Sequence, residues 1–183
     1  MENLLILDLD ETLVFANDVC LDYSEDFKTC GYFVYKRPFL EIFINTVRQW
    51  FQIAVWTSSD KIYAHQIVKN IFPKDYPLEF VLTNDDCTTK FDFELQEYYQ
   101  VKKLKKLKKK GYSLDKVLII DDTPKKAEMN YGNYIRINAF EGDRDDNELM
   151  LLLEYLPKFK SESNIRKIEK RFWRTEVSQP RIK

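Results

Sequence analysis

Four short apolar runs constrain the fold more than any other feature of the chain: Leu4-Leu5-Ile6-Leu7, Ile53-Ala54-Val55-Trp56, Phe80-Val81-Leu82 and Val117-Leu118-Ile119-Ile120. Runs of this length that do not alternate with polar residues mark strands buried on both faces, the situation of a parallel sheet covered by helices. Helical patterns lie between them. Behind Pro38, apolar residues at 39, 40, 43, 44, 47, 50 and 51 form one stripe with proline at the start. Thr57-Ser58-Ser59-Asp60 offers N-cap residues ahead of Ile62, Ala64, Ile67, Val68 and Ile71. Val101, Leu104 and Leu107 predict a further helix closed by Gly111, and another runs from near Asp145 through Leu156. Tyr134 to Ile137 reads as a short strand, and Asn84 to Phe93 as a polar loop. The alternation predicts an α/β fold with a mainly parallel central sheet flanked by helices and a site at the carboxyl ends of the strands.

The 183 residues, 44% hydrophobic and 15% aromatic, exclude a disordered chain and suit one main core. Cys20, Cys30 and Cys87 have no C-x-x-C spacing, so neither a disulfide framework nor a zinc site is indicated. With no basic leader ahead of an apolar segment, and no apolar run near about 18 residues, the expectation is a soluble intracellular protein, cytoplasmic or nuclear, without a membrane partner. Net charge is -1, but its distribution is uneven: residues 158 to 183 hold nine basic and three acidic residues.

The chemistry concentrates where strands end. Asp8 and Asp10 leave the first strand two residues apart, with Thr12 closing the turn, and Asp121 and Asp122 leave another. One such pair fits a helix cap equally well. Two pairs at equivalent strand ends favour a shared hard cation such as Mg2+, which takes carboxylates and carbonyls. Thr57 stands between a strand and a helix, where its hydroxyl and nearby amides suit a phosphate, and Lys102 would bring a positive charge to the same edge. His65 reads as a surface or packing residue, and Trp50 and Trp56 as core.

Asp8-Leu9-Asp10-Glu11-Thr12 after an apolar strand is the D-x-D-x-T signature of haloacid dehalogenase superfamily phosphatases. The chain resembles their NLI-interacting-factor-like branch, which dephosphorylates the RNA polymerase II carboxy-terminal domain. Val55-Trp56-Thr57-Ser58-Ser59 looks like the second motif, Val101-Lys102-Lys103-Leu104 like the lysine motif, and Val117 to Pro124 like the fourth. Tyr35-Lys36-Arg37-Pro38 resembles the arginine-proline approach to the first helix, and Asn138-Ala139-Phe140 through Asp146-Glu148-Leu149 the closing strand and helix. The resemblance covers roughly residues 3 to 157 and implies a Rossmann-like fold with a minimal cap, since the stretch from Asn84 to Val101 is short for the family's three-stranded insertion.

It also implies roles. Asp8 is the nucleophile and Asp10 the acid and base. Thr12, Thr57, Ser58 and Lys102 bind the substrate phosphate, and Asp8, the Asp10 carbonyl, Asp121 and Asp122 hold Mg2+. The expected reaction is hydrolysis of a phosphomonoester through an aspartyl-phosphate, with phosphoserine or phosphothreonine in a protein as the first candidate substrate. Phosphorylated nucleic-acid ends or small phosphometabolites are the alternative, reached through the lysine-rich helix and basic tail. A phosphoprotein-binding module without catalysis is the remaining class. A catalytic domain over 1-157 and a basic C-terminal helix or tail over 158-183 complete the expectation. In that tail Ile165, Ile168 and Phe172 fall at helical spacing, and Phe172-Trp173 is expected to pack on the domain.

Overall fold

The computed structural model describes residues 2 to 178. The chain runs β1 (Leu4–Leu7), β2 (Val14–Asn17), β3 (Phe27–Thr29), β4 (Tyr32–Lys36), α1 (Leu40–Val47), β5 (Gln52–Trp56), α2 (Lys61–Ile71), β6 (Leu78–Leu82), β7 (Thr88–Asp92) and β8 (Glu97–Val101). It continues through β9 (Val117–Asp121), α3 (Pro124–Ala127), β10 (Tyr134–Arg136), α4 (Glu148–Tyr155) and α5 (Trp173–Ser178). The predicted α/β architecture is present. Five parallel strands form the central sheet in the order β10-β9-β1-β5-β6.

The position of β1 explains its unbroken apolar run. It pairs with β5 on one side and β9 on the other, Leu7 opposite both Val55 and Ile120. Leu5 and Leu7 point into the larger core with α1, α2 and α4, whereas Leu4 and Ile6 point into a second cluster that includes Trp56, Leu104 and Leu107. All four side chains are buried, each giving roughly 1.5–3 kcal/mol relative to exposure. Because β1, β5 and β9 run parallel, the residues after them emerge at one edge of the sheet.

Three segments differ from or add to the sequence expectation. Asn84 to Phe93, expected as a polar loop, contains β7, which pairs with β8 as an antiparallel hairpin, Phe91 opposite Tyr98. Polar strands of five residues in a two-stranded ribbon lack the apolar period that reveals a strand. A separate three-stranded antiparallel sheet, β2-β4-β3, lies between β1 and α1. Leu104–Lys110 forms 3-10 turns rather than an α-helix, still closed by Gly111 at φ 90°. The three-residue spacing of Leu104 and Leu107 is compatible with the three-residue turn as well as with the α period.

The basic tail also differs. A 3-10 turn covers Ile165–Lys167, the chain then extends, and α5 begins at Trp173. Ile165 and Trp173 are buried in the main core, but Phe172 is 63% exposed. Trp173 packs 5.7 Å from the Tyr155 ring and donates its indole N–H to the Arg136 carbonyl at 2.8 Å. That hydrogen bond selects the indole over the phenyl ring for burial.

Candidate active site

Asp8 follows β1, Thr57 follows β5, and Asp121 ends β9 with Asp122 next, so parallel pairing gathers them at one edge. Lys102 arrives from the end of β8. Its backbone is fixed by Asn130, which donates to the Lys102 carbonyl at 2.5 Å and accepts from Leu104 N, and by its own N–H to the Lys126 carbonyl at 2.8 Å. The side chain is fully buried. Its ammonium lies 2.7 Å from Asp8 Oδ1 and 2.6 Å from Asp121 Oδ2. Only the Asp121 contact has hydrogen-bond alignment. Asp8 is therefore ion-paired, yet neither of its carboxylate oxygens accepts a well-aligned hydrogen bond. Burial disfavours the Lys102 ammonium, but Asp121 and Asp8 outweigh it and raise its pKa.

Asp8, Asp121 and Asp122 each present a carboxylate oxygen within 4.8 Å of the others, and all three residues are buried. Thr123 orients two of them, its N–H donating to Asp121 Oδ1 at 2.9 Å and its hydroxyl to Asp122 Oδ2 at 2.8 Å. The Thr12 hydroxyl reaches Asp122 Oδ1 at 3.4 Å. Against three carboxylates stand Lys102 and, 3.9 Å from Asp8 Oδ2, Lys126. If all five ionise, one negative charge remains without compensation. Burial, opposed by Lys102 and reinforced by Asp8, pushes the Asp121 carboxyl up to about 6. An all-oxygen set with a bare Asp8 oxygen and surplus negative charge fits a hard divalent cation.

The Asp10 carboxylate belongs to a different environment. Ser59 Oγ donates to Oδ2 at 2.6 Å and the Tyr63 hydroxyl donates to Oδ1, so the side chain sits apart from the three-acid cluster. Burial raises its pKa, while the Ser59 and Tyr63 hydrogen bonds pull it down. Those two donors come from the turn and first helical residues after β5. Asp60 makes that placement possible by capping α2, accepting from Ile62 N and Tyr63 N at 2.9 and 3.0 Å. With Asp60 as the cap, Thr57 is left free of that duty, its buried hydroxyl accepting only from Ser59 N at 3.0 Å. Ser58 beside it is half-buried.

Arg37 ties the first-motif turn to the rest of the fold. Its buried guanidinium forms a two-pronged pair with Asp146 at 2.8 and 2.7 Å, and donates to the carbonyls of Thr12 at 3.1 Å and Asn138 at 2.9 Å. His65 lies outside the site on an exposed helix face, bonded to the Lys61 carbonyl. Sequence reasoning missed Ser59, Tyr63 and Lys126. Tyr63 could have been found as the residue one helical turn beyond Ser59, on the face of α2 that returns toward the strand end.

The family model described as NLI interacting factor-like phosphatase matches residues 3–166. The chain is 30% identical over 169 residues to CTD small phosphatase-like protein 2 of Dictyostelium discoideum, covering 88% of this chain and 28% of that protein. Nuclear envelope morphology protein 1 of Saccharomyces cerevisiae is 28% identical over 182 residues, covering 90% and 40%. CTD nuclear envelope phosphatase 1 of Xenopus laevis is 27% identical over 179 residues, covering 90% and 70%. The chain thus spans less than half of the first two. Among solved structures, that of Fcp1, described as an essential RNA polymerase II CTD phosphatase, superimposes with a TM-score of 0.59 at 17% identity, over 96% of this chain and 61% of that one. Among the described residues no helix is long and apolar enough to cross a membrane.

Proposed function

The chain belongs to the NLI interacting factor-like phosphatase family, and on that premise we propose that it is a Mg2+-dependent hydrolase of phosphoserine or phosphothreonine in proteins. One observation carries the reading: a buried carboxylate, Asp8, with a bare oxygen beside two further acids and the ammonium groups of Lys102 and Lys126. A structural aspartate at this burial would be covered by hydrogen-bond donors. A nucleophile must keep a lone pair free.

In the proposed reaction Asp8 Oδ attacks phosphorus and the ester oxygen leaves, so that the phosphoryl group passes to Asp8. Repulsion between the carboxylate and a phosphate dianion is the main obstacle, and Lys102 with the Thr57 hydroxyl and the neighbouring Ser58 amide are the groups that offset it. Mg2+ held by Asp8, the Asp10 carbonyl, Asp121 and Asp122 would supply further charge neutralisation at the phosphoryl oxygens. Asp10, its proton affinity raised by burial, protonates the departing oxygen. Once ionised, it takes a proton from the water that hydrolyses the aspartyl-phosphate, steadied in that charged form by Ser59 and Tyr63. Protein substrates are favoured because relatives bear names of CTD phosphatases and, among the described residues, the small sheet and hairpin do not build a large enclosing cap.

Turnover of an aryl phosphate, followed by its released phenolate, tests the reading. Activity is expected with Mg2+ and lost on chelation and in Asp8→Asn. Full activity in metal-free buffer, or in Asp8→Asn, contradicts it.

A further inference from the structure

A cavity of about 410 Å³ lies against β10, the edge strand of the main sheet, where the tail folds back over it. Lys170 closes it from the tail side, its ammonium donating to the carbonyls of Gly132, Ile165 and Ile168 at 2.8, 2.7 and 2.6 Å. Five cations line the cavity, Arg136, Arg166, Lys167, Lys170 and Arg171, against one carboxylate, Glu169. Glu169 is already engaged by Arg171 through contacts of 3.0 and 2.6 Å. Among the described residues Arg166 has one carboxylate at ion-pair distance, Asp115 at 4.0 Å. Arg136 and Lys167 have no carboxylate at ion-pair distance among the described residues. Burial lowers the Lys170 pKa to about 8, against the smaller opposing pull of Glu169.

The cavity adjoins the proposed active site. Pro124, two residues beyond Asp122, forms part of its wall, and Tyr134 beside it donates its hydroxyl to the Asp121 carbonyl at 3.0 Å. Gathering four cations in excess on one concave surface is unfavourable unless an anion occupies it. A phosphate dianion with three acceptor oxygens satisfies several guanidinium and ammonium donors at once, which a single carboxylate does not. The space exceeds one phosphate and leaves room for the residue that carries it, against Tyr131 and Tyr134.

We propose that this cavity binds a second phosphate of a multiply phosphorylated protein segment whose scissile phosphate lies at Asp8. The proposal rests on the phosphatase reading above and names its substrate class: sites dephosphorylated best when a neighbouring residue is already phosphorylated.

Binding separates this proposal from the catalytic one. Fluorescence anisotropy on Asp8→Asn would compare a labelled peptide bearing one phosphoserine with peptides bearing a second, its spacing stepped residue by residue. At a preferred spacing the second phosphate should tighten binding about tenfold or more, as charged hydrogen bonds do. Arg136→Ala combined with Lys167→Ala should remove that gain. Arg136 is exposed and holds Trp173 through its carbonyl rather than its side chain, so the fold should survive. Raising salt should erode the gain in the unsubstituted cavity. No gain at any spacing, a gain that survives both substitutions, or tighter binding of a single-stranded oligonucleotide lost through the same substitutions would overturn the proposal. Aryl phosphate turnover by the unsubstituted protein reports on the catalytic reading independently.

Discussion

Lys102→Met removes the one cation held between two buried acids, and the structure sets the size of the effect. The ammonium touches Asp8 and Asp121 at 2.7 and 2.6 Å with all three side chains at or below 1% exposure. At an effective dielectric of about 20 each such pair is worth roughly 6 kcal/mol at these distances, much of which offsets the desolvation of the lysine itself. Removing one partner of a buried pair costs about 3–5 kcal/mol, and here two carboxylates lose it, so the upper part of that range applies. For a chain of this length that corresponds to a fall in Tm of roughly 10 °C or more. Urea unfolding in EDTA near about pH 7.5 measures it. The loss should shrink as pH falls. The Asp121 carboxyl, at about 6 in the folded protein against 3.8 unexposed to the fold, contributes stability that is full below 3.8 and lost as pH rises through about 6. Without Lys102 that folded value rises further, so protonation relieves the variant at a higher pH than the parent. Saturating Mg2+ should narrow the gap by restoring positive charge. If Lys102→Met is too unstable to fold, the pair Lys102→Met with Asp121→Asn should recover part of the loss. A cost below about 1 kcal/mol, or one independent of pH, would show that Lys102 does not neutralise Asp8 and Asp121.

Three further outcomes are expected. Tyr63→Phe removes a donor that favours ionised Asp10, so its pKa should rise; because the proposed hydrolysis step uses ionised Asp10, the acidic limb of the pH-rate profile should move to higher pH, and a limb that moves to lower pH contradicts the proposed role of Asp10 as base. Trp173→Ala should cost about 3–5 kcal/mol in urea unfolding, since the indole is 1% exposed and holds the Arg136 carbonyl; a cost like that of a surface substitution would show that the tail does not share the core. Arg37→Lys keeps the charge but loses the two-pronged Asp146 pair and the carbonyl contacts, so about 1.5–3 kcal/mol should be lost in the same assay, and a neutral result contradicts the anchoring assigned to the guanidinium.

The strand-end residues were legible in sequence because parallel topology converts an apolar run followed by a polar residue into a position at the site edge. Asp8, Thr57, Asp121 and Asp122 all follow that rule, and a motif of known spacing identified Lys102. What the sequence hid has a common physical cause: it depends on contacts between segments remote in sequence. Lys126 approaches Asp8 only because α3 turns back after β9. Tyr63 reaches Asp10 only through the pairing of β1 with β5. The choice between Phe172 and Trp173 for burial turns on the Arg136 carbonyl, which no helical period encodes. Strands β2, β3, β4, β7 and β8 are too short and too mixed in polarity to declare themselves, and the leucine spacing at 104 and 107 fits α and 3-10 periods alike.

Covalent phosphorylation of Asp8, with release assisted by Asp10, is the proposed step that trapping the intermediate would reveal. Asp10→Asn mixed with a good aryl phosphate in Mg2+, quenched in acid within the first turnover and digested, should yield the peptide containing Asp8 with a phosphate-mass adduct that the Asp8→Asn protein lacks. Steady turnover by Asp10→Asn at the parental rate with no adduct on the Asp8 peptide would exclude Asp8 as the nucleophile and Asp10 as the base.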